Sequence, residues 1–190
     1  MILKKVVKRR NKEKTIVKIL QAAGDAIARG GVSKAGVNAI AKQAGINKVL
    51  LYRYFNGWNG LIEALYQHSL EDIHAQVTAV SSSPVVIETY AVQYYQTLHT
   101  NPALPVLIRW QMDNKLTELG RNMAAHQDEF LKQVESASGV EIGLIRLLMA
   151  GITHSVLTED KQEDGAAVLT EPIIRRFSAR LAPVESTEVQ

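Results

Sequence analysis

Apolar residues recur at three- and four-residue intervals along almost the whole of this 190-residue chain, and such a repeat admits little besides packed helices. From Lys12 to Arg29 it is carried by Ile16, Leu20, Ala23 and Ile27, with Gly30-Gly31 as the stop. A second, short helix carries Val37, Ile40, Ala41 and Ala44 and breaks at Gly45. A third follows Asn47 as its N-cap and runs through Phe55. Beyond Asn56-Gly57-Trp58-Asn59-Gly60, the pattern predicts a longer helix from Leu61 to about Val80, closed by the turn Ser81-Ser82-Ser83-Pro84.

The second half of the chain reads the same way. Ile87, Ala91, Tyr94 and Leu98 form a stripe ending near Asn101-Pro102, and a short apolar segment spans Pro105 to Met112. Leu116, Leu119, Met123, Phe130 and Val134 mark the next helix, stopped between Ser136 and Gly139. Ile142 to Val156 is apolar nearly all round, so it is buried inside the domain or against another chain. Leu169, Ile173, Phe177 and Leu181 give the last pattern, which Pro172 either kinks or opens at its first position. The expected fold class is all-α.

Composition narrows the class. A hydrophobic fraction of 46% with 22% charged residues suffices for a buried core in one domain, or in a small and a medium one. The chain has no cysteine, which excludes disulfides, thiol catalysis and cysteine-bound metal. Met1 to Lys5 lacks the apolar core of a secretory signal, and Leu144 to Leu157 is broken by Arg146 and His154 and too short to span a bilayer. A cytoplasmic protein without a membrane partner is expected.

The net charge of +3 conceals a segregation. Residues 1–60 hold 13 Lys/Arg against only Glu13 and Asp25, whereas the other 130 residues hold 9 Lys/Arg against 17 acids. The first third is therefore suited to a polyanion.

One segment there, Ile40 to Phe55 (IAKQAGINKVLLYRYF), has the makings of a helix-turn-helix. Ala41 and Ala44 permit close helix approach, Gly45 makes the turn and Ile46 plugs the core behind it. On the following helix, 100° per residue puts Leu51 and Phe55 on an anchoring face, with Lys48 at its edge. Val49, Leu50, Tyr52 and Arg53 are presented outward. A Val-Leu pair suits thymine methyls, Arg53 suits a guanine edge or a phosphate, and the hydroxyls of Tyr52 and Tyr54 suit backbone phosphates.

These residues resemble the tetracycline-repressor (TetR) family of bacterial regulators. The resemblance covers roughly Thr15 to Leu65, through Ala22-Ala23, Gly31, Ile40-Ala41, Ala44-Gly45, Leu51-Tyr52-Arg53-Tyr54-Phe55 and Leu61. It implies a three-helix DNA-binding domain, a connecting fourth helix and a helical C-terminal domain that binds a small ligand and dimerises through its last two long helices. By that analogy Lys48, Val49, Leu50, Tyr52, Arg53 and Tyr54 lie at the DNA surface of a double-stranded, palindromic operator. Where the family usually has Thr or Ser at the start of the second helix, this chain has Ala35-Gly36, leaving Ser33 as a nearby substitute. Trp58 stands where the family favours Lys; its indole can donate one hydrogen bond but carries no charge. The basic arm Lys4 to Lys14, with Lys8, Arg9, Arg10 and Lys12, has two readings: phosphate or minor-groove contact, and a solubilising tail.

The expected division is residues 1–57 for DNA binding, 58–182 for ligand binding and dimerisation, and 183–190 as a tail. Ligand-binding residues are selected only by type, as polar or aromatic groups within apolar helices. Tyr90, Tyr94, Tyr95, His99, Arg109, Trp110, Met112, Met149 and His154 qualify; Tyr94, Arg109, Trp110, Met149 and His154 are the working set. His154 equally fits a ligand contact, a dimer-interface hydrogen bond or a satisfied core histidine. No cofactor or metal is expected. The chain lacks a Gly-rich phosphate loop, a His-x-x-x-His pair and a Gly-x-Ser-x-Gly elbow, which leaves little for an enzyme. The favoured function is a ligand-released repressor, repression being the family's common mode; a DNA-binding regulator with a protein-interaction domain is the alternative.

Overall fold

The computed structural model describes residues 2–78, 83–158 and 171–181, all in helices or the turns between them. In chain order the helices are α1 (Ile2–Gly30), α2 (Val37–Gln43), α3 (Lys48–Phe55), α4 (Trp58–Thr78), α5 (Ser83–Thr100), α6 (Ala103–Asp113), α7 (Glu118–Ser138), α8 (Ile142–Thr158) and α9 (Glu171–Leu181). The all-α expectation holds for the described residues. The expected tail, residues 183–190, and Leu169 of the last stripe lie outside them.

The chain packs as two units. The first comprises Met1–Ser69 with Pro102–Met123, the second Leu70–Asn101 with Ala124–Gln190.

In the first unit the helical repeat becomes a core. Ile19, Ala23 and Ile27 of α1, Ile40 of α2, Leu51 of α3, Leu61 and Ile62 of α4, and Leu104 and Leu107 of α6 are all fully buried. Each such Leu or Ile side chain contributes about 1.5–3 kcal/mol by leaving water, so this face, rather than helix propensity, holds the short helices α2 and α3 in place. A polar bridge adds direction: Arg29 Nη2 donates to Gln43 Oε1 (3.0 Å), and Gln43 Nε2 donates to Asp25 Oδ2 (2.8 Å), tying α2 to α1.

α1 is longer than the periodicity indicated. The basic residues from Lys4 to Lys14 continue the helix instead of forming a separate arm. Helix formation needs no apolar stripe where Lys and Arg, both good helix formers, extend an already nucleated helix.

In the second unit α5 is the central element, packed by α8 and α9. Ile87, Tyr90, Ala91 and Tyr94 of α5 meet a core that includes Phe130 and Val134 of α7, Ile145 and Ile152 of α8, and Ile174 of α9. Ion pairs cross between helices at Arg175–Glu88 (2.6 Å) and Arg146–Asp128 (2.8 Å). Both are partly exposed, so each is worth at most about 1 kcal/mol and packing dominates.

Two details depart from the sequence reading. Leu116, assigned to the apolar stripe of α7, lies in the preceding turn and is 83% exposed. Thr117 decides this, because its Oγ1 accepts from the Gly120 N–H (3.0 Å) and starts the helix one residue later. The stripe Ile173 and Phe177 faces outward on α9, while Ile174 and Ser178 are the buried pair.

Candidate nucleic-acid interface

α2 ends as the sequence requires. Gly45 takes φ +66°, its N–H donates to Lys42 O (3.2 Å), and the Ile46 N–H reaches back to Ala41 O (3.0 Å). This paired capping satisfies the last carbonyls of α2, and its left-handed residue suits glycine. Ile46 behind it is half-buried. Asn47 then caps α3, its side chain accepting from the Val49 N–H (2.9 Å).

The orientation of α3 follows from which face is anchored. Leu51 is fully buried and Phe55 nearly so, whereas Val49 is 63% and Tyr52 51% exposed. Lys48 and Arg53 are exposed, and Leu50 and Tyr54 are half-buried. The outward row therefore holds a branched aliphatic group, a phenol and two cations without an acid, a surface able to meet base methyls, base edges and phosphates.

Around α3 the placements differ in detail. Ser33 is exposed in the turn between α1 and α2 but does not cap α2. The N-cap is Gly36, in extended backbone and with no side-chain cap hydrogen bond, so the substitution of a cap by Ser33 is corrected. Trp58 is half-buried at the first position of α4. The backbone of Lys8, Arg9 and Arg10 belongs to α1; their side chains lie outside the described ones.

One relationship escaped the sequence. Lys12 of α1 brings its Nζ to 5.7 Å from the centroid of the Tyr54 ring, and Arg53 brings its Cζ to 5.4 Å from the same centroid. Both distances are within cation–π range. No local spacing signals a meeting between residues on different helices.

In the second unit, two of the five ligand candidates lie in the core. Tyr94 is buried and its hydroxyl shares a 2.8 Å hydrogen bond with Thr153 Oγ1. Burial pushes the phenol up to about 12, against the opposing effect of the Thr153 bond, so it remains a neutral donor or acceptor. Met149 Sδ accepts from the Tyr90 hydroxyl (2.8 Å) and from Gln127 Nε2 (3.9 Å). Beside them His74 stacks on Phe130 with centroids 3.6 Å apart, and its burial, partly offset by Glu71, lowers its pKa and keeps the imidazole neutral near pH 7. His154 is exposed on α8. Arg109, exposed, and Trp110, half-buried, belong to the first unit.

A third feature is apolar. Leu144, Leu147, Leu148 and Gly151 of α8, with Ile173, Ile174 and Phe177 of α9, line a cavity of about 320 Å³. Leu147 at 69% and Phe177 at 52% exposed are its open rim. Among the described residues no single helix is long and apolar enough to cross a membrane.

Residues 19–65 match the model of the bacterial regulatory proteins, tetR family. No curated protein matches the chain. Among solved structures, a member of the TetR family from Streptomyces coelicolor A3 is 19% identical with a TM-score of 0.68, over 90% of this chain and 99% of that one. The fatty acid degradation regulator FadR from Bacillus halodurans is 18% identical with a TM-score of 0.66, over 86% and 95% of the two chains. The transcriptional regulator FadR from Bacillus subtilis, solved in complex with stearoyl-CoA, is 17% identical with a TM-score of 0.63, over 87% and 96%. At these identities the structures share the fold.

Proposed function

We propose that this chain, whose residues 19–65 match the bacterial regulatory proteins, tetR family, is a transcriptional regulator of that family: a homodimeric repressor, without enzymatic activity, released from a palindromic operator by a small molecule. The observation that carries the reading is the outward face of α3, where Val49 and Tyr52 stand exposed between Lys48 and Arg53 on a helix anchored by Leu51 and Phe55. Val49, Leu50 and Arg53 read bases in the major groove, and Lys48, Tyr52, Tyr54, Ser33, Lys8, Arg9 and Arg10 serve the backbone. Such a protein works in the cytoplasm, where its DNA is.

Dimerisation is assigned to α8 and α9. Their apolar rim is the kind of surface a two-fold axis makes self-complementary, since each residue meets its counterpart's neighbour. Residues 1–57 then carry the DNA-binding function and residues 58–182 those of ligand binding and dimerisation.

Ligand binding is assigned to the Tyr94 and Met149 region of the second unit. The stearoyl-CoA complex of the Bacillus subtilis regulator supports a long-chain acyl-CoA as the first ligand to try. Such a ligand must displace the Tyr94–Thr153 hydrogen bond and supply its own, because an unsatisfied buried hydroxyl costs about 1–3 kcal/mol. A second reading, in which this unit is a protein-interaction module, is favoured by one observation: among the described residues the buried side-chain polar atoms all have partners.

Titration of stearoyl-CoA into the protein–operator complex separates the two. The ligand can act only through a higher affinity for the DNA-incompetent state, and a coupling of about 1–3 kcal/mol weakens operator binding roughly 5- to 150-fold. Operator must weaken stearoyl-CoA binding by the same factor. Unchanged operator affinity at saturating stearoyl-CoA overturns the acyl-CoA reading and leaves the interaction module.

A further inference from the structure

Polar contacts join α5 to α8 at matched helical spacing. The Tyr90 hydroxyl donates to Met149 Sδ (2.8 Å), and one turn further along both helices the Tyr94 hydroxyl shares a hydrogen bond with Thr153 Oγ1 (2.8 Å). Tyr94 and Thr153 are both buried. Their hydroxyls bring two protons, and the shared bond uses one. Among the described residues the other proton has no acceptor. A buried donor in that state is satisfied by a ligand that brings an acceptor.

The surroundings restrict what the acceptor can be. The core of this unit is largely aliphatic and aromatic, through Ile87, Phe130, Val134, Ile145 and Ile152, and among the described residues no charged side chain is buried. A carboxylate brings lone pairs to the hydroxyls, but its lost water shell costs more than two hydroxyl bonds offset without a cation. The Tyr94 phenol is itself a measure of this. Burial holds it neutral against the opposing effect of the Thr153 bond. A carbonyl oxygen carries two lone pairs and no charge, so it can accept from Tyr94 and Thr153 together.

We propose that the hydroxyls of Tyr94 and Thr153 form a recognition pair for an uncharged carbonyl, of the ester, thioester or ketone class, carried on an apolar chain, and that the pair rejects the corresponding free carboxylate. The pair rests on the ligand-binding reading of the second unit and adds to it the chemical class of the group received. Tyr90 and Met149, satisfied by one another, keep α5 and α8 in register beside it.

The test titrates methyl octanoate and octanoate, matched in chain length, into the full-length protein by isothermal titration calorimetry. Wild type binds the ester at least about tenfold more tightly than the carboxylate. Tyr94→Phe and Thr153→Val each remove one hydroxyl and keep the shape, and each weakens the ester by about two- to tenfold. Circular dichroism checks that the helices persist, and where one variant fails to fold the other decides. Octanoate bound as tightly as the ester overturns the proposal, and so does an ester affinity unchanged in the folded variants. Failure of methyl octanoate to bind wild type overturns it as well. Stearoyl-CoA titrated into the same protein then separates the two readings: binding leaves ligand recognition by this unit standing, and its absence removes that reading too.

Discussion

Phe177→Glu is expected to turn the protein into a monomer and to remove measurable operator binding. Phe177 is 52% exposed on α9, so the isolated chain tolerates a carboxylate there. In a two-fold dimer the same substitution places a charge in the apolar surface formed with Leu147 and Ile173, once from each copy. Burying an unpaired carboxylate costs at least several kcal/mol, and the cost is paid twice. A dimer constant therefore weakens by about three orders of magnitude or more. Sedimentation at micromolar concentration reads the mass, and circular dichroism confirms that the helices persist. A variant that remains a dimer removes α8 and α9 from the interface.

Gly60→Ala is expected to lower both stability and operator affinity. A Cβ at this position would lie 1.8 Å from the Phe55 carbonyl oxygen, which is backbone and cannot rotate away. The start of α4 must then separate from the end of α3, the helix that carries Arg53 and Tyr54. Overpacking of this kind costs about 1–3 kcal/mol, and urea unfolding measures it. Loss of register at α3 adds a fall in operator affinity of about tenfold or more. Gly24→Ala is the contrast: a Cβ there meets Ala103 and Leu65 at 3.8 Å, an ordinary contact inside α1. Alanine's helix propensity is then gained without strain, and stability rises by up to about 1 kcal/mol. A Gly60→Ala protein as stable as wild type contradicts the close approach of α4 to α3.

What the sequence conveyed depended on the range of the interaction involved. The α2–α3 pair was legible because its determinants are local: Gly45 for a left-handed turn, Asn47 for a cap, and Leu51 and Phe55 one helical turn apart. Leu116 was assigned to the wrong segment because its apolar character was weighed above the Thr117 cap, which is equally local and fixes the start of α7. The apolar circumference of α8 was legible, and its two faces are now distinct. Ile145, Leu148 and Ile152 serve the core, while Leu144 and Leu147 are left exposed.

The ligand candidates were selected by residue type, and type does not determine burial. Tyr94 and Met149 lie inside the second unit, whereas His154 and Arg109 face solvent. The approach of Lys12 to Tyr54 had no sequence signal, because it depends on how α1 and α3 cross.

Selection of bound sites from a random duplex library tests the central claim most directly. Two symmetry-related copies of α3 demand a palindrome or near-palindrome, with half-site centres about one helical turn, roughly 34–36 Å, apart or near a multiple of it. The expected result is repeated enrichment of one such site, with each mismatched base pair in a half-site costing about 1–3 kcal/mol. Recovery of unrelated or only asymmetric sequences contradicts the account of a dimer reading DNA through Val49, Leu50 and Arg53.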